Sequence, residues 1–309
     1  MLAPSAAAEA QRFDFIALGD MPYNVPADHA RYDRLIDRIN AAGPAFSIHV
    51  GDTKAGSTPC SDESIRRSKE HFDRFAGAVV YTIGDNEWTD CHRRGAGGFD
   101  PLERLDFVRR LHFDRAQSLG QRPLGVERQA DAMPAHALYA ENLRWTHNGV
   151  LFVTLHIVGS NNNFEIRAGA PEEFVARDAA NQAWIADSFA MASRDRSLGI
   201  VLAFQADMWA SDVPRDPNQN GFARTLGHLT ERAAAFGGPV LLVQGDSHVL
   251  RIDQPLKDRR GGTLENVTRL QVMGAAEVHA VRVTIDPAEP GLFSFTPFRV
   301  PENTNPPRM

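Results

Sequence analysis

The sequence lacks an excess of positive charge. Its 33 lysine and arginine residues are outnumbered by 39 aspartate and glutamate residues, which gives a formal net charge of -6 and an isoelectric point near 6.0. Long-range attraction to a nucleic-acid backbone or to an anionic membrane is therefore not expected. We predict neither nucleic acid nor a membrane as a partner, and a monomer is the default assembly.

Long apolar runs are also missing. The longest, such as GVLFVTL and GIVLAF, fall well short of the roughly 18 apolar residues of a membrane-spanning helix. The N-terminal MLAPSAAAEAQRFDF has an A-x-A arrangement at Ala6 and Ala8, but not the basic and apolar segments that come earlier in a secretory signal. We interpret residues 1–12 as the remnant of a signal peptide or as a disordered N-terminus. The first interpretation implies export to the periplasm or the extracellular space.

Cysteine is scarce, with only Cys60 and Cys91 in 309 residues. Each follows, by a few residues, an apolar run that ends in Gly-Asp, so both loops leave the same sheet edge if those strands are neighbours. A disulfide is then geometrically plausible. It would suit an exported protein, whereas a cytosolic protein would keep both thiols reduced.

Apolar runs typical of strands alternate with segments of helical period in the first third of the chain. In order they are FDFIALGD, HARYDRLIDRINAAG, AFSIHVGD, DESIRRSKEHFDRFAG and AVVYTIGD. Tyr32, Leu35, Ile36 and Ile39 fall on one face of the first helix. This β-α-β-α-β order predicts parallel strands joined by right-handed crossovers.

The rest of the chain predicts further elements of a single domain over residues 13–300. Residues 91–140 combine a helix from Pro101 with long polar loops, and a loop of such length tends to cover a site. The turn HNG predicts a hairpin, and helices are expected at 172–193 and 222–236. The last three apolar segments, NVTRLQVMG, VHAVRVTID and LFSFTPFRV, are expected to be antiparallel, and a flexible tail is expected at 301–309.

Polar clusters stand at the ends of five predicted strands. They are Asp20, Asp52, Asp85-Asn86-Glu87, Gln205 with Asp207, and Asp246 with His248. One Gly-Asp is ordinary turn chemistry, but an open α/β sheet gathers its ligands at the carboxyl ends of its strands. So many carboxylates would repel one another unless a cation neutralised them. The series predicts a divalent metal site.

The order of these motifs resembles the calcineurin-like metallophosphoesterase superfamily, which includes the purple acid phosphatases. The resemblance covers roughly residues 13–300 in order and spacing. It implies an α/β fold, an α-β-β-α sandwich of two mixed β-sheets flanked by helices, with one or two divalent metal ions. The metal ligands that it implies are Asp20, Asp52, Asp85, Asn86, Gln205, Asp246 and His248.

Several positions depart from the pattern of that superfamily. Pro22 stands where the family has the histidine of D-x-H, and Gln205 and Asp246 replace two further histidines. Oxygen ligands in place of imidazole favour Mg, Mn or Ca, with Zn or Fe still possible. Tyr23 has the wrong spacing for the metal-bound tyrosine of purple acid phosphatases, so a packing role is expected for it.

The resemblance implies a metal-dependent hydrolase of small phosphate mono- or diesters, with a metal-bound water as nucleophile. Asn86 stands where the family has its catalytic histidine; it can hydrogen-bond a phosphoryl oxygen but cannot act as an acid. His92 or Glu87 would then donate the proton to the leaving group. A solvated loop position is the alternative for His92.

Four further residues are candidates for binding the substrate. Arg93 and Arg94 could clamp an anion bidentately, or they could be solvated loop arginines. Asn161 and Asn162 follow a strand and could reach a substrate, or they could simply form a turn.

An alternative function is a catalytically degenerate protein that keeps the fold and binds a metal or an anion. A serine hydrolase built on Ser247 and His248 is disfavoured, because adjacent side chains of an extended segment point apart and G-x-S-x-G is missing. His156 is expected to be a hydrogen-bonded core residue. Trp88 and Trp209 would either line a pocket or pack in the core.

Overall fold

The computed structural model describes residues 11–165 and 169–304. Its strands, in chain order, are β1 (Phe13–Leu18), β2 (Ser47–His49), β3 (Val79–Tyr81), β4 (Glu127–Arg128), β5 (Leu143–His147), β6 (Val150–Thr154), β7 (Gly199–Ala203), β8 (Val240–Gln244), β9 (Arg251–Asp253), β10 (Val267–Gln271), β11 (Ala280–Ile285) and β12 (Phe293–Phe298). Its helices are α1 (Ala27–Ala42), α2 (Asp62–Phe72), α3 (Pro101–His112), α4 (Gln129–Ala132), α5 (Gly159–Asn162), α6 (Ala170–Arg194) and α7 (Ala223–Phe236).

The strands form two mixed sheets. The first has five strands in the order β12-β11-β1-β2-β3, and the second has seven in the order β4-β5-β6-β7-β8-β10-β9. β1, β2 and β3 are parallel, as the β-α-β-α-β order predicts. β5 and β6 form the hairpin expected at HNG. The α-β-β-α sandwich predicted from the family resemblance is confirmed.

The last three predicted strands do not form one antiparallel group. β10 pairs in parallel with β8 in the second sheet, whereas β11 and β12 form an antiparallel pair that joins β1 in the first sheet. The chain therefore crosses from one sheet to the other between β10 and β11. That antiparallel prediction was wrong for β10, because an apolar run specifies a strand but not its partner.

Aromatic side chains fill the space between the two sheets. Phe46 packs edge-on against Phe152 with ring centroids 5.0 Å apart, and Trp145 stacks on Phe152 at 5.1 Å. Alternate residues of β6 face opposite ways: Phe152 joins this central core, while Leu151 joins the core under α6 and α7. Burial of both faces explains why β6, β7 and β8 are continuous apolar runs.

Local signals set the ends of the helices that flank the sheets. Ser61 accepts a hydrogen bond from the Ser64 amide at the start of α2. Asp100 caps α3 in the same way, ahead of a proline at the first helical position. These are the residue types that helix N-termini favour. α6 and α7 begin within two residues of the predicted helix starts.

The long segment 91–140 is more ordered than the polar loops that the sequence predicts. Leu119 pairs with Val79, so part of the segment runs along the edge strand of the first sheet. At the other end of the chain Asn303 is buried and donates to the Arg31 and Val278 carbonyl oxygens, although the predicted tail includes it. Residues 305–309 and the N-terminal residues 1–10 lie outside the described part. None of the described helices has the length and apolar character needed to cross a membrane.

Candidate metal centre

The recurrent Gly-Asp pairs lie where the strand ends of the two sheets converge. A Cβ added at Gly84 would lie 2.1 Å from an Asp52 oxygen, and one added at Gly245 would lie 2.1 Å from an Asp20 oxygen. Only glycine permits such an approach. Asp20 and Asp52 themselves have positive φ angles of 55° and 56°, a conformation that aspartate tolerates better than most residues. Gly-Asp therefore recurs because these turns are tight and crowded.

Asp20, Asp52 and His248 come together from three distant parts of the chain. Each offers one ligand atom, and these atoms all lie within 4.8 Å of one another. His248 Nε2 lies 3.5 Å from Asp20 Oδ1. Asp20 Oδ2 is buried, with no hydrogen-bond partner among the described residues. An unpaired oxygen in a group of this composition fits a divalent cation.

The charge balance around this triad also fits a cation. Burial raises the pKa of Asp20, although His248 partly opposes it. Burial, together with Asp85, Glu87 and Asp20, raises the pKa of Asp52 well above its ordinary value. Both carboxylates are destabilised in their charged form, which a bound cation would reverse.

Gln205 and Asn86, two of the predicted ligands, face Asp52 with their NH₂ groups. Asn86 Nδ2 donates to Asp52 Oδ2 at 2.7 Å and Gln205 Nε2 donates to the same oxygen at 3.3 Å. The Gly159 amide donates to Gln205 Oε1, which fixes the orientation of that side chain. Amides bind metals through oxygen, so in this arrangement both residues position Asp52.

Tyr23 belongs to the centre, contrary to the packing role expected from its spacing. Its hydroxyl donates to Asp52 Oδ2 at 2.7 Å, accepts from Asn86 Nδ2 at 2.9 Å and lies 3.3 Å from His248 Nε2. Burial, with Asp52 and Asp20, raises the pKa of Tyr23 well above 10. Tyr23 is therefore an un-ionised phenol in contact with two members of the triad.

Asp85 and Asp246 face each other beside the triad. A Cβ at Gly159 would lie 2.9 Å from an oxygen of each. Burial and the repulsion of Asp85 raise the pKa of Asp246 well above its ordinary value. Asp246 Oδ2 also accepts from the Asp207 amide. This pair could take part in holding a second cation.

Ser160 joins Asp85 to Asp90, a carboxylate to which the sequence reasoning assigned no role. The Ser160 hydroxyl lies 2.7 Å from Asp85 Oδ2 and 2.8 Å from Asp90 Oδ1. Burial and Asp85 raise the pKa of Asp90 to about 6. Arg93, one half of the predicted anion clamp, forms an ion pair with Asp90 and donates to Ser160.

Glu87 is a structural acceptor in this arrangement. Its carboxylate accepts from the amides of Asp52, Thr53 and Gly84 and from the Thr53 hydroxyl. It thereby ties the turn after β2 to the turn after β3. His92 is exposed, and its Nδ1 lies 2.6 Å from the Thr89 carbonyl oxygen of the same turn. Arg94, the other half of the expected clamp, is exposed too.

Asn161 and Asn162, two predicted substrate contacts, form a turn, and Asn161 also lines a cavity beside Asp246. Residues 160–163 all have positive φ angles, between 49° and 59°. Asn161 donates to the Gln219 carbonyl oxygen and accepts from the Gly221 amide, while Asn162 accepts from Arg177 and donates to Gly221. Their side chains are used to hold a left-handed turn, the alternative interpretation of the Asn run.

The predicted disulfide between Cys60 and Cys91 is present, with Cα atoms 5.7 Å apart. Both sulfur atoms lie against the Asn86 carbonyl oxygen, at 3.5 and 3.8 Å. The bridge thus joins the loops after β2 and β3 at the Asn86 turn, next to the candidate metal centre.

The remaining predictions concern residues beside the centre. His156 is fully buried and bonds Glu141 at 2.8 Å, which confirms a core role. Trp88 is also fully buried, whereas Trp209 is half-buried under Arg269. The Ser247 hydroxyl donates to an Asp207 oxygen and is not arranged as a nucleophile.

A cavity of about 380 Å³ opens beside Asp246 and Ser160. Its other lining residues include Asp212, Val213 and Phe222, so its wall is partly acidic and partly apolar. A cavity that borders the candidate ligands is the natural place for the non-reacting part of a substrate.

Lys54 is another residue without a predicted role. It is 4% exposed, and burial lowers the pKa of its ammonium, although attraction by Glu87, Asp52, Asp90 and Asp85 partly opposes that effect. Its position two residues after Asp52 was the available signal. Tyr23 lies three residues after Asp20, which is a signal of the same kind. Its spacing differs from that of the metal-bound tyrosine of purple acid phosphatases, so a packing role was predicted instead.

Comparison with known proteins shows the fold and not the family. No protein-family model matches the chain, and no curated protein matches it. Several solved structures are similar, among them the following two. GAP50 of Plasmodium, described as the anchor in the inner membrane complex, is 7% identical with a TM-score of 0.54, and the match covers 94% of this chain and 89% of that chain.

The second similar structure is the purple acid phosphatase PPD1 from yellow lupin (Lupinus luteus) seeds. It is 10% identical with a TM-score of 0.52, and the match covers 95% of this chain and 55% of that chain. The chain thus spans about half the length of the lupin enzyme. The metallophosphoesterase-like fold predicted from the motifs is confirmed.

Proposed function

We propose that this protein is a metal-dependent hydrolase of small phosphate mono- or diesters and that it is exported to the periplasm or the extracellular space. The observation that carries the proposal is the meeting of Asp20, Asp52 and His248 within 4.8 Å, beside an unpaired buried oxygen. The similar fold of a purple acid phosphatase supports the reaction class. The Cys60–Cys91 disulfide supports an oxidising compartment.

Asp20, Asp52 and His248 would hold the cation. Two carboxylates suit Mg, Mn or Ca, and the imidazole leaves Zn or Fe possible. When bound, such a cation lowers the pKa of a water and stabilises the charge that develops on the transferring phosphoryl group.

The neighbouring side chains orient the triad and hold a proton. Asn86 and Gln205 fix Asp52 by donating to its Oδ2, so that carboxylate needs no reorganisation in the reaction. Tyr23 keeps its proton at Oη because burial and nearby carboxylates raise its pKa. That proton is donated to Asp52 Oδ2, so we assign Tyr23 to orienting Asp52 and keep His92 as the candidate that protonates the leaving-group oxygen.

Metal analysis and hydrolysis assays test this proposal together. Protein purified without chelators should contain a divalent metal and hydrolyse a chromogenic phosphate mono- or diester. Asp52→Ala should abolish both properties, whereas the exposed Asp195→Asn should change neither. Hydrolysis that survives both chelation and Asp52→Ala would exclude the proposed mechanism.

A second candidate is a protein that binds a metal or an anion without turnover. It is favoured by the three donors already on Asp52 Oδ2, from Tyr23, Asn86 and Gln205, which compete with a second cation there. The similar fold of Plasmodium GAP50, an anchor in the inner membrane complex, also supports a purpose other than catalysis. Stoichiometric metal without turnover on a broad panel of phosphoesters would support this candidate instead.

A further inference from the structure

Lys54 is a buried lysine whose ammonium is mostly unused by the protein. It is 4% exposed, and lysine is almost never so buried without a partner. Within the described residues its Nζ makes one hydrogen bond, 3.3 Å to the Ala55 carbonyl oxygen. An ammonium has three N–H donors, so two remain for another ligand.

The carboxylates that attract Lys54 are engaged elsewhere. Glu87 accepts four hydrogen bonds from the turns after β2 and β3. Asp90 forms an ion pair with Arg93, and Asp52 accepts from Tyr23, among others. Electrostatic attraction therefore holds Lys54 near these carboxylates, and its N–H groups make no hydrogen bonds to them.

A cleft of about 130 Å³ lies at Lys54, roughly four times the ~30 Å³ that a water molecule occupies in the liquid. Besides Lys54 its lining includes Thr53, Thr58, Ser64 and Arg67, together with the carboxylate of Glu63 and the imidazole of His29. Hydroxyl, ammonium and guanidinium groups are the donors that an oxyanion requires. Thr53 directly follows Asp52, so the cleft adjoins the metal centre.

We propose that Lys54 is the anion-binding, specificity-determining residue of this site: it donates to a phosphoryl oxygen and favours phosphate monoesters over diesters. The inference rests on the proposed hydrolase function. A monoester phosphate carries about 1.5 to 2 negative charges at pH 7, whereas a diester carries one. A fixed ammonium beside the bound phosphoryl group therefore stabilises the monoester more.

The test compares Lys54→Met with Lys54→Arg in the metal-loaded protein. Lys54→Met should weaken binding of inorganic phosphate about tenfold, measured by calorimetry. It should lower kcat/KM about tenfold or more for a chromogenic monoester and less than about threefold for the matching diester. Affinity for Mn²⁺ should be unchanged or higher, because a nearby positive charge has been removed. Lys54→Arg should retain most of the monoester preference.

Lys69→Met is the matched control, since Lys69 is a partly exposed lysine paired with Asp73 on the surface of α2. It should leave phosphate binding and both hydrolysis rates unchanged. Equal phosphate affinity in Lys54→Met and wild type, or an equal loss for both esters, would overturn the assignment.

The binding measurement keeps this inference separate from the proposed function. If the wild type binds metal and phosphate but hydrolyses neither ester, the proposed function fails, and the phosphate affinity of Lys54→Met alone decides the anion-binding role. If Lys54→Met lowers the melting temperature markedly, Lys54→Arg decides the same question through its phosphate affinity and its ester preference.

Discussion

Two groups of buried carboxylates in this fold differ in what balances their charge. Glu141 forms an ion pair with Arg109 and bonds His156, and Glu173 forms an ion pair with Arg177. Burial acts to raise the pKa of Glu141, but Arg109 and His156 outweigh it and lower that pKa to about 2. This paired region carries its own countercharge.

The carboxylates of the candidate metal centre lack such a countercharge. Within the described residues, Asp20, Asp52 and Asp246 have no lysine or arginine within ion-pair distance, and burial raises the pKa of each. Buried charge without a partner is costly. The difference between the two regions separates carboxylates that the protein's own cations neutralise from carboxylates that have no such countercharge among the described residues.

Removing a countercharge from the paired region should have the largest effect on stability. Arg109→Met leaves Glu141 buried without its partner, so the free energy of unfolding should fall by about 3–5 kcal/mol. Denaturant unfolding measures the loss. The double variant Arg109→Met/Glu141→Gln should recover part of it, and an unchanged single variant would show that the pairing contributes nothing.

Acid should destabilise the protein through three histidines packed near β2 and β3. Burial lowers the pKa of His49 and His112 to about 3 and that of His71 to about 4. The unfolded chain binds protons near pH 6.5 and the folded protein does not, so stability falls as pH drops below 6.5. Each histidine costs about 1.4 kcal/mol at pH 5.5, about 4 kcal/mol in total.

Denaturant midpoints between pH 7 and pH 5 measure this loss. His112→Gln should flatten the acid limb, since it removes one of the three titrating groups. The partly exposed His136→Gln is the control and should leave the slope as it is. Because burial raises the pKa of Asp20, Asp52 and Asp246, these carboxyl groups stabilise the fold as the pH falls and offset part of the loss. An acid limb in His112→Gln as steep as that of the wild type would contradict the assignment.

The disulfide belongs to neither group of carboxylates, and it should contribute a similar amount to the free energy of unfolding. Cys60 and Cys91 are 31 residues apart, and closing a loop of that length stabilises a fold by about 3–4 kcal/mol in the chain-entropy model. The double variant Cys60→Ser/Cys91→Ser should lose about that much in denaturant unfolding. The double variant should also bind metal more weakly, because the bridge supports the Asn86 turn. Equal stability of the wild type under reducing and non-reducing conditions would argue against the bridge.

The smallest expected effect is a gain in stability, whereas Arg109→Met should cause a loss. Asp246→Asn removes a charge that Asp85 repels, so the metal-free protein should gain about 1 kcal/mol of stability at pH 8. Glu141→Gln is the matched comparison and should lose stability, because Arg109 then has no partner. If both substitutions destabilise the metal-free protein alike, the two regions do not differ as described.

The sequence predicts most of the fold because its signals are local. Apolar runs, helix periods and caps place the strands and helices, and strand-terminal Gly-Asp pairs locate the edge where Asp20, Asp52 and His248 meet. The sequence did not predict that β10 pairs with β8, since sheet order depends on packing between distant segments.

The details of the site were less predictable for the same reason. Asn86 and Gln205 have the right positions for ligands, but their orientation is set by hydrogen bonds to Asp52 and Gly159. Tyr23 reaches Asp52 through a turn that its sequence spacing does not specify. The Asn run indicates a turn or a substrate contact, and the backbone groups of Gln219 and Gly221 that fix the turn lie far away in the sequence.

The most direct test of the central claim is the thermal unfolding of chelator-treated protein titrated with Mn²⁺ at pH 8 and pH 6. At a metal concentration 100 times Kd the wild type should gain about 2.7 kcal/mol, and less at pH 6, where protons compete for the ligands. Asp52→Ala should gain nothing. A wild type that no divalent cation stabilises, or an Asp52→Ala variant stabilised as strongly as wild type, would contradict a metal centre at Asp20, Asp52 and His248.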